Sequence, residues 1–231
     1  MKTSEFSDTF IACLGNGERL LEDAQLLYDF GRVASAYALS MLSQEEFAKA
    51  FLMDLAREGV IPWSVEVWKS MQDHTCKQLL VLVMEFLNPS IDDFLTRIKS
   101  NSGNPTFPPY VADAMNIYRH EKIGQWKSRN WVWSEPPEYD ATAKKVADGN
   151  LDRKKQNALY VRLTRTGEIA NLPSGVTIDM AENELERTRR LHQLVLQIKG
   201  RSVTMLDDYE NLKETLRLIF KDDVPAGNKG I

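Results

Sequence analysis

The chain has 231 residues, of which 43% are hydrophobic and 27% are charged, and this composition excludes a disordered or fibrous protein. Because the formal net charge is −4, any attraction to nucleic acid must come from a local basic surface. The only two cysteines, Cys13 and Cys76, show no CxxC or Cys/His ligand spacing, so we expect neither a disulfide framework nor a metal site.

The N-terminus and the apolar runs of the sequence bear on location. MKTSEFSDTF lacks the apolar segment of a signal peptide, and the most apolar run, LLVLVMEFL at 79–87, is too short to span a bilayer. We therefore expect a cytoplasmic protein that does not bind a membrane.

Apolar residues at spacings of three and four predict an all-α fold. The GNG sequence at 15–17 is expected to bend or break the first helix, and Ser64 is expected to cap the third. The capping-box pair Asp179 and Glu182 is expected to open the sixth helix. The predicted helices cover about 4–30, 33–58, 64–88, 91–99, 110–130, 179–199 and 203–221.

One segment has a different character. ALYVRLTRTGEIANLP (158–173) is rich in β-branched and aromatic residues around a turn at Gly167, which predicts a β-hairpin. We expect this hairpin to belong to an insertion at about 131–175 that is otherwise irregular. The remainder of 1–222 would form a single helical domain, followed by a flexible tail at 223–231.

The second predicted helix places charged residues in its apolar stripe. On a helical wheel Glu45 and Lys49 lie inside the stripe and four residues apart, which favours an ion pair between them, and Glu46 lies at the edge. Since burying an ion pair carries a desolvation penalty, its position in the apolar stripe needs a structural or functional explanation. It either fixes how helices dock or serves a site in a cleft or dimer seam.

Three stretches resemble the AbiV abortive-infection family, whose members belong to the HEPN superfamily of all-α domains. NGERLLEDAQLLYDFGRVASAYALSMLSQEEFAKAF (16–51) is similar to the N-terminal helical pair of that family. HTCK (74–77) and RKKQNALYVRLTRTGEIANLP (153–173) are further similarities, so the resemblance covers about 16–200. It implies an antiparallel helical bundle, a homodimer with paired sites across the two-fold interface, and a role in defence against phage.

Many HEPN proteins are metal-independent ribonucleases marked by the pattern R-x4-6-H, and RTRRLH supplies Arg187 and His192 at this spacing. His192 could exchange a proton with the 2′-hydroxyl or the leaving oxygen of RNA, and Arg187 could hold the phosphate. The family more often has Asn, Asp or His after the arginine, whereas this chain has Thr188. The alternative is that His192 is a hydrogen-bonded core residue.

Residues 151–201 contain ten Lys or Arg and six Asp or Glu, which indicates a basic patch suited to phosphate. Lys154, Lys155, Arg189 and Arg190 are the expected substrate-binding residues. In the alternative interpretation, the arginines of 187–190 pair with glutamates of the same helix.

Supporting or interface roles are expected for His74, Lys77 and His120, together with Glu45, Glu46 and Lys49. His74 is expected at the surface or facing a partner, and His120 on a solvated helix face. The leading hypothesis is an abortive-infection ribonuclease that needs no cofactor, acts on RNA and responds to a phage-encoded trigger. The alternative is a non-catalytic effector that binds RNA or protein.

Overall fold

A computed structural model describes residues 2–100, 107–127 and 137–221 of the chain. Three expectations lie wholly or partly outside these residues: the end of the helix predicted at 110–130, the first part of the predicted insertion, at 131–136, and the flexible tail at 223–231.

The described residues form an all-α bundle with one small β-hairpin, which confirms the predicted fold class. Most of the apolar side chains, from Phe6 to Leu216, join one continuous hydrophobic core. The elements in chain order are α1 (Thr3–Asp29), α2 (Val33–Arg57), α3 (Val65–Gln72), α4 (His74–Leu87), α5 (Ile91–Ser100), α6 (Pro109–Asn116), a π-helical segment (Ile117–Ile123), α7 (Gly124–Lys127), α8 (Ala141–Ala147), α9 (Asn150–Leu159), β1 (Arg162–Leu163), β2 (Ile169–Asn171), a 3₁₀ turn (Pro173–Gly175), α10 (Ile178–Gly200) and α11 (Leu206–Lys221).

Helices α1 and α2 form an antiparallel hairpin, and α10 packs against both. The sequence GNG does not break the helix at 15–17, because α1 is continuous from Thr3 to Asp29. The two glycines of GNG instead differ in their surroundings. Gly15 is exposed, whereas Gly17 faces the Phe47 ring of α2 and its carbonyl accepts a hydrogen bond from Ser43 Oγ at 2.7 Å. Gly17 is therefore a contact point between helices.

Replacing Gly17 by alanine is expected to destabilise the protein. A Cβ at this position would lie 2.5 Å from Cε1 of the fully buried Phe47, and such overpacking costs about 1–3 kcal/mol. The control is Gly15→Ala, which meets nothing within 4 Å and should stabilise the exposed helix by roughly 0.5–1 kcal/mol. Chemical denaturation measures both, and equal effects of the two substitutions would contradict the close approach.

The region predicted as one helix at 64–88 is two helices. Ser64 caps α3 as expected, with its Oγ accepting a hydrogen bond from Val67 N at 3.3 Å. Asp73 then adopts an extended conformation, and its carboxylate accepts a hydrogen bond from Cys76 N at 2.8 Å. Because Asp73 ends α3 and caps α4, it places His74 at the first position of α4.

Two further boundaries differ from the prediction. The segment 141–159, expected to be irregular, forms α8 and α9, which are joined through Gly149 in a left-handed conformation with φ of 74°. Helix α10 begins at Ile178 because Thr177, and not Asp179, supplies the capping oxygen. The predicted hairpin is present, and Gly167 occupies its turn with φ of 86°.

Candidate functional site

Glu45 of α2 is 3% exposed and lies where side chains of three helices meet. Lys77 of α4 lies 2.9 Å from Oε2, and Lys155 of α9 lies 2.6 Å from Oε1. His74 Nδ1 is 2.6 Å from Oε2, and Gln78 Nε2 donates a longer hydrogen bond of 3.4 Å to Oε1. We call these five residues the Glu45 cluster.

The predicted ion pair between Glu45 and Lys49 is wrong. Lys49 pairs with Glu46 at 2.6 Å instead, and its charge acts on the Cys13 thiol of α1. Lys49 therefore lies toward α1, whereas Glu45 faces α4 and α9. Lysines distant in sequence replace the expected partner.

The charges of the Glu45 cluster are balanced by Asp152, whose Oδ1 lies 3.0 Å from Lys155 Nζ. Burial alone would raise the pKa of Glu45, but Lys77 and Lys155 outweigh it and hold that pKa below its ordinary value. Two carboxylates thus face two ammonium groups, of which Glu45, Lys77 and Lys155 are buried and Asp152 is partly exposed.

The distances around His74 Nδ1 restrict its tautomer. Nδ1 lies 2.6 Å from Glu45 Oε2 and 3.0 Å from Lys155 Nζ, and one ring nitrogen cannot donate to the first and accept from the second. Since Glu45 is ionised, Nδ1 carries the hydrogen and donates it to Oε2. Lys155 then donates to Glu45 Oε1 and forms an ion pair with Asp152 Oδ1.

The ligand atoms of Glu45, His74 and Asp152 lie within 4.8 Å of one another, a spacing that could hold a metal ion. Lys155 Nζ, however, lies 2.6–3.0 Å from an atom of each. The ammonium already acts as the cation of this group, and a divalent ion would have to displace it.

Arg187 of α10 belongs to a second polar group. Its guanidinium donates to both oxygens of Glu85 at 2.6 Å and to Glu184 Oε1 at 3.1 Å. Burial alone would lower the pKa of Arg187, but Glu85 and Glu184 raise it above the ordinary value. Gln44 donates to Glu184 at 2.7 Å and to Thr188 Oγ1 at 2.9 Å, so the unexpected Thr188 fills a buried hydrogen-bonding position between α2 and α10.

A cleft of about 660 Å³ opens beside Arg187, between α4, α8, α9 and α10. Four of its lining residues are cationic, Lys145, Arg153, Lys154 and Arg187, and one is anionic, Glu85. A threonine, two asparagines and three apolar residues complete the lining: Thr142, Asn150, Asn157, Leu82, Val146 and Leu151. The structure therefore brings two predicted site residues, Arg187 and Lys154, into one cleft of positive charge.

His192 lies elsewhere on α10. Its Nε2 is 2.9 Å from Glu18 Oε1, its ring stacks on Phe47 at 5.3 Å, and its side chain is 24% exposed. None of the hydrogen bonds of the described residues joins His192 to Arg187, and five residues of helix separate them by about 140°. Within one subunit the two predicted catalytic residues face different neighbours.

The remaining predicted residues are dispersed. Lys155 and Lys77, expected to bind substrate and to support the site, are buried in the Glu45 cluster. Arg189 and Arg190 pair with Glu186 of their own helix, as in the alternative interpretation. His120, expected on a solvated face, is partly buried in the π-helical segment.

The sequence interpretation missed three acidic partners, Glu18, Glu85 and Asp152, and the cleft residue Lys145, whereas the pairing of Arg187 with Glu184 follows its alternative of glutamates on the same helix. Asp152 carried a local signal, because it lies three residues before Lys155 on one helix face. The other partners are joined only by tertiary packing, for which the chain offers no spacing rule.

No helix among the described residues combines the length and the apolarity needed to cross a bilayer. No curated protein and no solved structure matches the chain. The family model described as AbiV, a HEPN-type family, matches residues 6–193, which include α1, α2, α4, the hairpin and most of α10. The chain therefore belongs to the AbiV family of abortive-infection proteins.

Proposed function

We propose that this abortive-infection protein acts on RNA in the cytoplasm and holds the RNA backbone in the cleft beside Arg187. The observation that carries the proposal is the lining charge: four cations and one carboxylate in a chain whose net charge is −4. A local field of this sign attracts phosphate despite the acidic whole. Binding of RNA needed by the infected cell or the phage would block growth or translation.

The cleft also suits the non-phosphate parts of a nucleotide. Its volume of about 660 Å³ falls in the range of small-molecule pockets, its three apolar residues offer packing for a base, and its two asparagines offer hydrogen bonds. Arg187 is fixed by Glu85 and Glu184, whereas Lys154 is exposed and free to follow a phosphate. We assign the orientation of the RNA backbone to Arg187 and the electrostatic attraction of its phosphates to Lys154.

Reversing the charge of Lys154 tests this proposal. Lys154→Glu should weaken binding of single-stranded RNA at least about tenfold and reduce the dependence of log K on log salt, because a phosphate contact is lost and a repulsion is gained. The matched control is Lys199→Glu, the same change at an exposed position of α10 outside the cleft lining. Fluorescence anisotropy across a salt series measures both.

Equal weakening by the two substitutions would contradict a role of the cleft. Absence of RNA binding by the unchanged protein would favour the alternative, an effector that binds a phage or host protein.

A second candidate function is metal-independent RNA cleavage by Arg187 and His192. The observation in its favour is the Glu18 carboxylate at His192 Nε2, which can stabilise the imidazolium formed during proton transfer. Since the two residues face different neighbours in one subunit, we propose a homodimer in which His192 of one copy approaches Arg187 of the other. A phage-encoded protein would be the trigger.

A further inference from the structure

The Glu45 cluster has features that neither the cleft nor the Arg187 and His192 pair uses. It holds a buried carboxylate and two buried lysines, and its only half-exposed member is His74, whose side chain is 48% exposed. If the cluster only fixed how the helices pack, it would not need a titratable ring at its exposed end.

The tautomer of His74 determines which ring nitrogen donates a hydrogen bond and which can accept a proton. With the hydrogen on Nδ1 bound to Glu45, the lone pair lies on Nε2, at the opposite side of the ring. Among the hydrogen bonds of the described residues, none involves Nε2 of His74. A carboxylate thus orients one nitrogen and leaves the other able to accept a proton, the arrangement used by general bases.

We infer that His74 is the proton-accepting residue of an RNA-cleaving site, with Glu45 as the residue that positions it. This inference rests on the proposal that the protein acts on RNA. It assigns to the chain a site distinct from Arg187 and His192.

The reaction is a transesterification within the RNA strand. His74 Nε2 takes the proton of a 2′-hydroxyl while that oxygen bonds to the adjacent phosphorus, and the bond from phosphorus to the 5′ oxygen breaks. The leaving 5′ oxygen receives a proton from water, which gives a 2′,3′-cyclic phosphate and a 5′-hydroxyl end. The imidazolium is stabilised by Glu45 until it returns its proton to solvent.

The cleft and the Glu45 cluster share two helices. Lys154, in the cleft lining, is the chain neighbour of Lys155 in the Glu45 cluster, so the two sites adjoin different sides of α9. Along α4, His74 precedes the cleft residue Leu82 by eight residues, about 12 Å of helix. In the proposal, a strand that is bound in the cleft extends by a few nucleotides to reach His74.

The charged groups around His74 are Glu45 on α2, Lys155 and Asp152 on α9, and Lys77 one turn along α4. The base is active only while the ring is neutral. The rate should therefore rise with pH as the imidazole loses its proton and then level off.

The test is His74→Asn, whose amide can still donate to Glu45 but has no base at the position of Nε2. Cleavage of a short RNA in EDTA, followed as kcat/KM, should fall at least about a hundredfold, while RNA binding in the anisotropy assay should not change. The rising limb of the pH profile should disappear. In His74→Ala, added imidazole should restore part of the rate.

The variant that discriminates the two assignments is His192→Asn, the same substitution at the other candidate histidine. Cleavage that survives in His74→Asn but is lost in His192→Asn would overturn the inference in favour of the Arg187 and His192 pair. Full-strength RNA binding without cleavage by the unchanged protein would also overturn it, and would leave the RNA-binding proposal intact. Loss of activity in His74→Asn without loss of the pH limb or rescue by imidazole would reduce His74 to a structural role.

Discussion

Replacing Glu45 by glutamine should lower the free energy of unfolding by about 3–5 kcal/mol, the largest effect that we expect from a single substitution. Glutamine keeps the shape but removes the negative charge, so that Lys77 and Lys155 remain buried with only Asp152 to compensate them. Denaturation in urea at pH 7 measures this loss.

Glu46→Gln is the matched control, the same change one residue along α2. Among the described residues Glu46 pairs only with Lys49, and these side chains are 17% and 21% exposed against 4% for Glu45, so the loss should be smaller than for Glu45. Similar losses for the two variants would show that the Glu45 cluster is not the buried ion group that the structure describes.

The difference between the unchanged protein and Glu45→Gln should depend on pH in one direction. Because Lys77 and Lys155 hold the pKa of Glu45 below its ordinary value of 4.5, the folded state favours the carboxylate. The stability from this group is fully present above pH 4.5 and is lost as the pH falls from there through the folded-state pKa. Denaturation curves from pH 7 downward should therefore converge, and a gap that widened with acid would contradict the assignment.

Arg187→Ala should be the second most damaging change, with a loss of about 2–4 kcal/mol. It removes the cation between Glu85 and Glu184 and leaves two partly buried carboxylates facing each other. The expectation lies below that for Glu45 because these side chains keep more contact with water. Thermal and chemical denaturation measure the effect.

Arg189→Ala is the control for Arg187, two residues along the same helix. Its pairing with Glu186 is exposed, so the loss should stay below about 1 kcal/mol. An equal loss at both positions would contradict the difference in burial. Since Arg187→Ala weakens the fold, any loss of activity in that variant should be compared with Arg187→Lys, which keeps the charge.

The fold class was accessible from the sequence because helical periodicity and capping residues are local signals. The hairpin at Gly167 and the Ser64 cap were predicted on that basis and are present. The errors were also local in origin. Asp73 acts as the cap of a new helix inside a continuous apolar pattern, and the low hydrophobicity of α9 concealed a helix whose burial depends on Lys155.

The candidate site was predictable only in part. The wheel placed Glu45 in the interior, and the structure confirms its burial, but the spacing of four residues favoured Lys49 as the partner. The true partners are 32 and 110 residues away, and only the packing of α4 and α9 against α2 brings them together. Likewise the spacing of Arg187 and His192 satisfies a sequence pattern without bringing the two side chains together within one subunit.

Helix α9 carries a lysine at 154 that lines the cleft and a lysine at 155 that is buried. Its buried residues are Lys155 and Ala158, and Leu151 packs against the hydrophobic core, so the apolar contacts of this helix are few. The attachment of the Lys155 ammonium to Glu45 therefore helps to set the rotation of α9 about its axis. At this helix an ion pair acts together with hydrophobic packing in determining which side is interior and which is surface.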